Sequence, residues 1–184
     1  MNAAHAFWQA SRAAGFAAYA ALALETILGL LVSTGLADRW LARARTMEIH
    51  RWLSAVALAL TAAHALVLLG DRYIAFDAID LVVPFVAPYR PIAVGLGVCA
   101  AYAAFVVHAS FTLRSRIGQR AWRALHYLSF AAFLGATAHG VLAGTDAGLG
   151  WARAMYAAAG TLVLWLTFYR AITALVSARA VTAS

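Results

Sequence analysis

Five long apolar segments constrain this chain more than any other feature of its sequence. A transmembrane helix needs about 20 mostly apolar residues, and each segment reaches that length. Hydrophobic residues make up 65% of the 184 residues and charged residues only 11%, which leaves too little polar surface for a soluble particle. We therefore predict an all-α integral membrane bundle of about five transmembrane helices. The predicted spans are 13–36, 49–69, 91–113, 122–143 and 151–178.

The same composition excludes a soluble enzyme, a disordered chain and a disulfide-linked scaffold, since Cys99 is the only cysteine. The sequence carries neither a GxGxxG run nor a P-loop, so no nucleotide site is predicted. We interpret 1–184 as one membrane domain. The segment 73–88 is apolar but short and is interrupted by Asp77 and Asp80, so we expect it to lie at the outer membrane interface.

The arginines predict an orientation. All 14 basic residues are arginine and the formal net charge is +7, an excess that in so apolar a chain is typical of cytoplasmic connections and not of nucleic-acid binding. Connections 37–51 and 114–123 are Arg-rich, whereas 70–90 holds only Arg72 and Arg90 beside three aspartates. The N-terminus is therefore predicted outside and the C-terminus in the cytoplasm. The lack of lysine and the abundance of alanine favour a bacterial inner membrane.

Four of the six histidines form two predicted pairs inside the bundle. His50 and His64 lie on the second span and His126 and His139 on the fourth. Both spans run in the same direction, so His50 shares a depth with His126 (the inner pair) and His64 with His139 (the outer pair), about 20 Å apart. Imidazole inside a membrane faces the bundle interior and is a good haem ligand. The pattern suits two stacked b-type haems with two axial histidines each, which transfer electrons and leave no open iron position.

The two spacings differ in phase around a helix. Fourteen residues leave His64 about 40° from the face of His50, whereas thirteen leave His139 about 140° from that of His126. We therefore expect either haems offset sideways or an irregular fourth span, for which Gly135 is the natural place. The plain alternative is that all four are helix-interface histidines bonded to neighbouring groups.

Several runs resemble a known family. They are His50-Arg51-Trp52 with His64, Val83-Pro84-Phe85, Tyr89-Arg90-Pro91, the run from Gly118 to His126 and the run from His139 to Asp146. Over about 25–178 the chain resembles the ferric reductase-like transmembrane family, the haem core of NADPH oxidases, metalloreductases and the haem subunit of the periplasmic methionine sulfoxide reductase system. The resemblance implies an inner haem on His50 and His126 and an outer haem on His64 and His139.

The chain departs from those relatives in two respects. The oxidases and metalloreductases usually have six helices and a C-terminal flavin–nicotinamide domain, whereas this chain has five predicted helices and stops at Ser184. We therefore expect its electrons to come from a partner flavoprotein or a membrane quinol, with the flavin or quinone supplied by that partner. The methionine sulfoxide reductase subunit also lacks that domain, but its typical members have no histidine matching His50. The expected acceptor lies outside and is ferric iron, oxygen or a redox protein.

Five further residues are candidates for contact with a cofactor. Arg51 and Arg123 flank the inner level and Arg90 lies near the outer one, where a guanidinium suits a haem propionate; the alternative for the first two is topology alone. His108 lies near the inner level, where it contacts a propionate, a quinone or a flavin, or else lipid headgroups. Glu25 is a costly mid-span carboxyl and is either a proton relay or quinone contact, or a protonated side chain bonded within the bundle.

Two rival functions share the same predicted helices. One is a quinol-linked cytochrome b of the b561 or bc type, and the other is a haem-free structural subunit of a membrane complex. The thirteen-residue spacing of the histidines on the fourth span favours the main interpretation over the first rival, and a colourless purified protein identifies the second.

Overall fold

The structure is a computed structural model that describes residues 3–71 and 74–182. Throughout these residues the regular structure is helical, and no strand occurs in them. The helices are α1 (Ala3–Thr34), a 3₁₀ turn (Leu36–Arg39), α2 (Arg43–Leu68), α3 (Ala78–Val82), α4 (Pro91–His126), α5 (Leu128–Ala143) and α6 (Gly150–Thr182). The predicted all-α fold is confirmed.

Four helical runs among the described residues are long and apolar enough to cross a membrane. They are Ala6–Thr34, Arg43–Leu68, Pro91–Ala143 and Gly150–Arg179. The third run has 53 residues, more than twice the length of about 20 needed for one crossing, and it holds the third and fourth predicted spans. The chain is therefore a multi-pass membrane protein with about five long helices. The first two runs begin earlier than predicted because each helix extends beyond its apolar segment at the N-terminal end.

Gly118 reverses the chain inside the long third run. Its backbone has φ 80° and ψ 162°, a combination that glycine adopts readily and other residues only with strain. After this bend the chain runs back alongside the part of α4 that precedes Gly118. This is shown by Gly135, which lies against Ala100, and by His139, which lies against Gly97. The third and fourth predicted spans therefore form an antiparallel hairpin.

The irregularity expected in the fourth span lies at Tyr127, between α4 and α5, and not at Gly135. The amide of Phe130 donates to the carbonyl of Tyr127 at 3.1 Å, and such a tight turn advances about 120° per residue instead of about 100°. This tightening rotates His126 towards the face that carries the second histidine of the span. Gly135 stands in regular helix, where it allows close approach: a methyl group there would lie 3.1 Å from Cβ of Ala100.

Helix α1 is the central element of the bundle. One side packs against α2 along its length, and the other packs against α5 and α6. The core on that second side consists of Tyr19, Ala23, Leu30, Phe133, Ala159, Val163 and Leu166. By contrast, α2 and α4 meet only sparsely. The space enclosed by α1, α2, α4 and α5 is where the histidines lie.

The connection between α2 and α4 contains one short helix. With five residues, α3 is far too short to span a membrane. Asp77 and Asp80 cap its first turn reciprocally, and the carboxylate of Asp80 accepts the backbone N–H of Asp77 at 2.9 Å. The two acids that interrupt this apolar segment therefore stabilise its one helical turn.

Candidate cofactor sites between the helices

The four membrane histidines lie in two facing pairs. In the inner pair, the ring centroids of His50 and His126 are 6.3 Å apart and their planes meet at 73°. In the outer pair, the centroids of His64 and His139 are 6.1 Å apart and the planes meet at 72°. The structure thus brings together the partners that the sequence predicts, at both levels.

This separation fits two imidazoles on opposite sides of one iron. A metal–imidazole bond is about 2 Å long, so two axial rings place their centres about 6 Å apart. Among the described residues, no group of three or more His, Cys, Asp and Glu side chains comes together to hold a metal ion. A pair of rings therefore suits a metal whose other ligands belong to the cofactor, as the four nitrogens of a porphyrin do.

Three of the four rings are oriented by hydrogen bonds to helix backbone. In each case Nδ1–H donates to a carbonyl of a neighbouring helix. The bonds run from His50 to Glu25 (2.8 Å), from His64 to Ser11 (2.7 Å) and from His139 to Ala93 (2.9 Å). Such a bond fixes the tautomer in which Nε2 carries the free lone pair, and metal-bound histidines are commonly held in this way.

His126 is held differently. Its Nδ1 is buried and has no hydrogen-bond partner among the described residues. Instead the ring stacks on Trp122, with centroids 5.1 Å apart and planes at 22°. Trp122 is packed in turn between the Arg114 guanidinium, 4.6 Å from its ring centre, and Phe111. Stacking therefore sets the position of this ring and leaves its rotation less restricted.

Each of the three hydrogen-bonded rings also faces a glycine, and these glycines are not among the predicted site residues. A methyl group would lie 3.0 Å from Nδ1 of His64 if added at Gly15, 3.2 Å from Cε1 of His50 at Gly29 and 2.7 Å from Nδ1 of His139 at Gly97. The spacing of residues in the sequence indicates two of these glycines, Gly15 and Gly29. Gly15 and Gly29 have the same fourteen-residue separation as His64 and His50, on the helix that runs antiparallel beside them.

The predicted arginines have different surroundings. One cavity adjoins the inner pair (the inner cavity) and another adjoins the outer pair (the outer cavity). Arg51 and Arg123 are exposed and line the inner cavity, and the Arg51 guanidinium lies 5.4 Å from the centre of the Phe111 ring. Arg90 is also exposed, and its guanidinium donates to the carbonyl of Leu142 at the end of α5. Arg90 is not one of the described residues that line the outer cavity. Arg72 is not among the described residues.

Two arginines that the sequence analysis did not select line the cavities. Arg12 of α1 lies at the outer cavity and forms an ion pair with Asp146, beyond the end of α5. Arg170 of α6 is half-buried at the inner cavity, 5.9 Å from the centre of the Tyr127 ring. Arg12 lies just before the predicted span 13–36, whereas α1 begins at Ala3, so the hydropathy pattern does not place this residue inside the bundle.

Polar groups occupy the region where the two cavities meet. Glu25 and Ser54 line both cavities. Ser54 shares a 3.1 Å hydrogen bond with Nδ1 of His108, which lines the inner cavity. Glu25 is 8% exposed, and its Oε2 has no partner among the described residues. The structure thus places both Glu25 and His108 within the bundle interior, beside the inner pair.

These features define a class of protein, a helical membrane bundle with paired histidines inside it. A family model described as "Ferric reductase like transmembrane component" matches residues 14–137, about two thirds of the chain, and the chain belongs to this family. The match includes His50, His64 and His126 and ends just before His139. The protein is therefore a membrane electron-transfer component of a family that commonly binds haem. No curated protein and no solved structure matches the chain.

Proposed function

We propose that the chain is a di-haem b-type cytochrome that carries electrons across the membrane through one ferric reductase-like domain, 1–184. In this proposal the inner haem lies between His50 and His126 and the outer haem between His64 and His139. One observation carries the proposal: the four histidine rings face each other in two pairs, with ring centroids 6.3 Å apart in the inner pair and 6.1 Å apart in the outer pair. A bound b haem supplies a one-electron carrier at each level.

The residues around each pair suit electron transfer without chemistry at the iron. With a haem held between the two histidines of a pair, both free coordination positions of the iron would be occupied by protein and none would be left for oxygen. The carbonyls of Glu25, Ser11 and Ala93 hold three of the rings with Nε2 available to the metal. The two levels stand about 20 Å apart along α2, a large part of the apolar thickness of about 30 Å that electrons must cross.

Arginine and histidine side chains give candidate partners for the haem propionates. At the inner level we propose Arg51, Arg123 and His108, all of which line the cavity. At the outer level Arg90 remains a candidate at the surface, although its guanidinium already bonds Leu142. Arg12 lines the outer cavity directly and is a second candidate, although its guanidinium already pairs with Asp146.

We propose that the donor is a cytoplasmic flavoprotein or a membrane quinol. The acceptor is proposed to lie on the outer side. Reduction of the purified protein by a quinol analogue, compared with reduction by a reduced flavoprotein, distinguishes the two donors.

A haem count tests the proposal. Purified protein should contain two b haems per chain, with a low-spin reduced-minus-oxidised spectrum. His64→Ala and His139→Ala should each remove the outer haem alone, and His50→Ala and His126→Ala the inner haem alone. Cys99→Ala, at an exposed position on α4, is the control and should retain both. Two haems in either outer-pair variant, or a colourless wild-type protein after expression with ample haem, would refute the proposal.

A further inference from the structure

The three carbonyls that accept a histidine Nδ1–H share one local sequence feature. The acceptor residues are Ser11, Glu25 and Ala93. Each stands four residues before a glycine of its own helix, and these glycines are Gly15, Gly29 and Gly97. They are the same three glycines that face the histidine rings. The acceptor and the small residue therefore recur together, once on α4 and twice on α1.

Helix geometry explains the spacing. The carbonyl of residue i already accepts the N–H of residue i+4, but a carbonyl oxygen has a second lone pair. In an α-helix the Cα–Cβ bond points towards the N-terminus, so the side chain at i+4 covers the turn that contains carbonyl i. Glycine at i+4 leaves that carbonyl open to a group from another helix. We call this arrangement a carbonyl slot.

The slots are too narrow for a larger residue. A methyl group would approach the ring to 3.0 Å at Gly15, 3.2 Å at Gly29 and 2.7 Å at Gly97, closer than ordinary contact between carbon and nitrogen or carbon atoms, about 3.5–4.0 Å. Gly135 is equally crowded but faces Ala100, at 3.1 Å, and Gly160 has nothing within 4 Å. Among the glycines of the described residues, an added methyl group would crowd a histidine ring only at Gly15, Gly29 and Gly97. These are the three glycines that leave an accepting carbonyl open.

We infer that Gly15, Gly29 and Gly97 are positioning residues that set the tautomer and rotation of three ligand histidines through carbonyl slots. This inference rests on the proposed function. Gly15 and Gly97 act on the two histidines of the outer pair, whereas Gly29 acts on His50 alone. His126 has no slot, so the outer haem is held by two oriented rings and the inner haem by one.

The experiment replaces each slot glycine by alanine and follows the two haems separately by redox titration and by electron paramagnetic resonance. Gly15→Ala and Gly97→Ala should alter the outer haem only, and Gly29→Ala the inner haem only. The affected haem should be lost or, where it is retained, its midpoint potential should rise, because a ring without its Nδ1–H bond donates less charge to iron. Gly97→Ala should have the largest effect, since its methyl group approaches the ring most closely.

Two alanine variants are matched controls. Gly135→Ala introduces similar crowding against Ala100, and Gly160→Ala introduces none, so both should keep two haems with unchanged potentials. Unchanged haems in all three slot variants, or equal disturbance of both haems in each of them, would overturn the inference and leave the glycines a general packing role. A wild-type protein without two haems would instead refute the proposed function, so the two failures are distinguishable.

Discussion

The four histidines have the same chemistry but not the same support. His64 and His139 are each fixed by a backbone carbonyl, so the protein itself orients both rings of the outer pair. In the inner pair only His50 has such a bond, and His126 depends on the face of Trp122. Hydrogen bonds that orient a metal-binding histidine contribute to the affinity of the site for its metal. The inner site is therefore the less preorganised of the two.

This difference predicts a selective effect of Trp122→Leu. Removing a stacked aromatic ring costs about 0.5–1.5 kcal/mol beyond the lost apolar area, which corresponds to roughly 2- to 10-fold faster loss of the inner haem. The measurement is transfer of haem to an excess of apomyoglobin, followed at the Soret band. Trp165→Leu, at an exposed position on α6, is the control. Faster loss of the outer haem, or equal rates in both variants, would contradict the support assigned to Trp122.

At the level of elements, the hairpin of α4 and α5 brings His126 and His139 to the same side of the interior. It depends on Gly118, whose backbone conformation strains other residues. No neighbouring atom lies within 4 Å of a methyl group built at this position, so Gly118→Ala tests backbone strain without crowding. We expect a cost of about 1–3 kcal/mol, seen as a midpoint of thermal unfolding lower by about 2–10 °C.

The control for the hairpin is Gly160→Ala, which also adds a methyl group into open space but within regular helix. Alanine has the higher helix propensity, so this variant should be neutral or slightly stabilised. Thermal unfolding is followed by the fraction of protein that stays monodisperse in detergent after heating. Equal midpoints for Gly118→Ala and wild type would show that the bend does not require a glycine.

The sequence predicted what depends on hydrophobicity and spacing, namely the helices and the two histidine pairs. It did not predict features that depend on local backbone geometry. The tight turn at Tyr127 leaves no compositional mark, so composition points to the nearby Gly135 instead. Arg12 precedes the apolar segment of its helix, so hydropathy does not indicate it. The carbonyl slots require knowledge of which helix lies beside which, although Gly15 and Gly29 carried a detectable spacing.

At the scale of the whole molecule, the distribution of charged residues follows the positions of the two histidine pairs. Most arginines lie in the connections at the end of the bundle that carries the inner pair, whereas the other end has Asp71, Asp77, Asp80 and Asp146. Each arginine near an anionic membrane surface contributes about 1 kcal/mol, so several together favour one orientation strongly. The charges therefore support a cytoplasmic position for the inner pair, and in the proposed function this makes the inner haem the one that receives electrons from a cytoplasmic donor.

Cysteine labelling tests this orientation in intact cells. In a Cys99→Ala background, Gly148→Cys should react with a membrane-impermeant maleimide, because the connection between α5 and α6 is expected outside. Ala42→Cys and Ser115→Cys, exposed at the opposite end, should react only after the membrane is permeabilised. The opposite pattern would reverse the membrane sides of the two haems and hence the expected direction of electron flow. If α2, α4 and α5 each cross the membrane, three spans separate Ala42 from Gly148 and the two positions lie on opposite sides. Equal labelling of Ala42→Cys and Gly148→Cys in intact cells would contradict this arrangement.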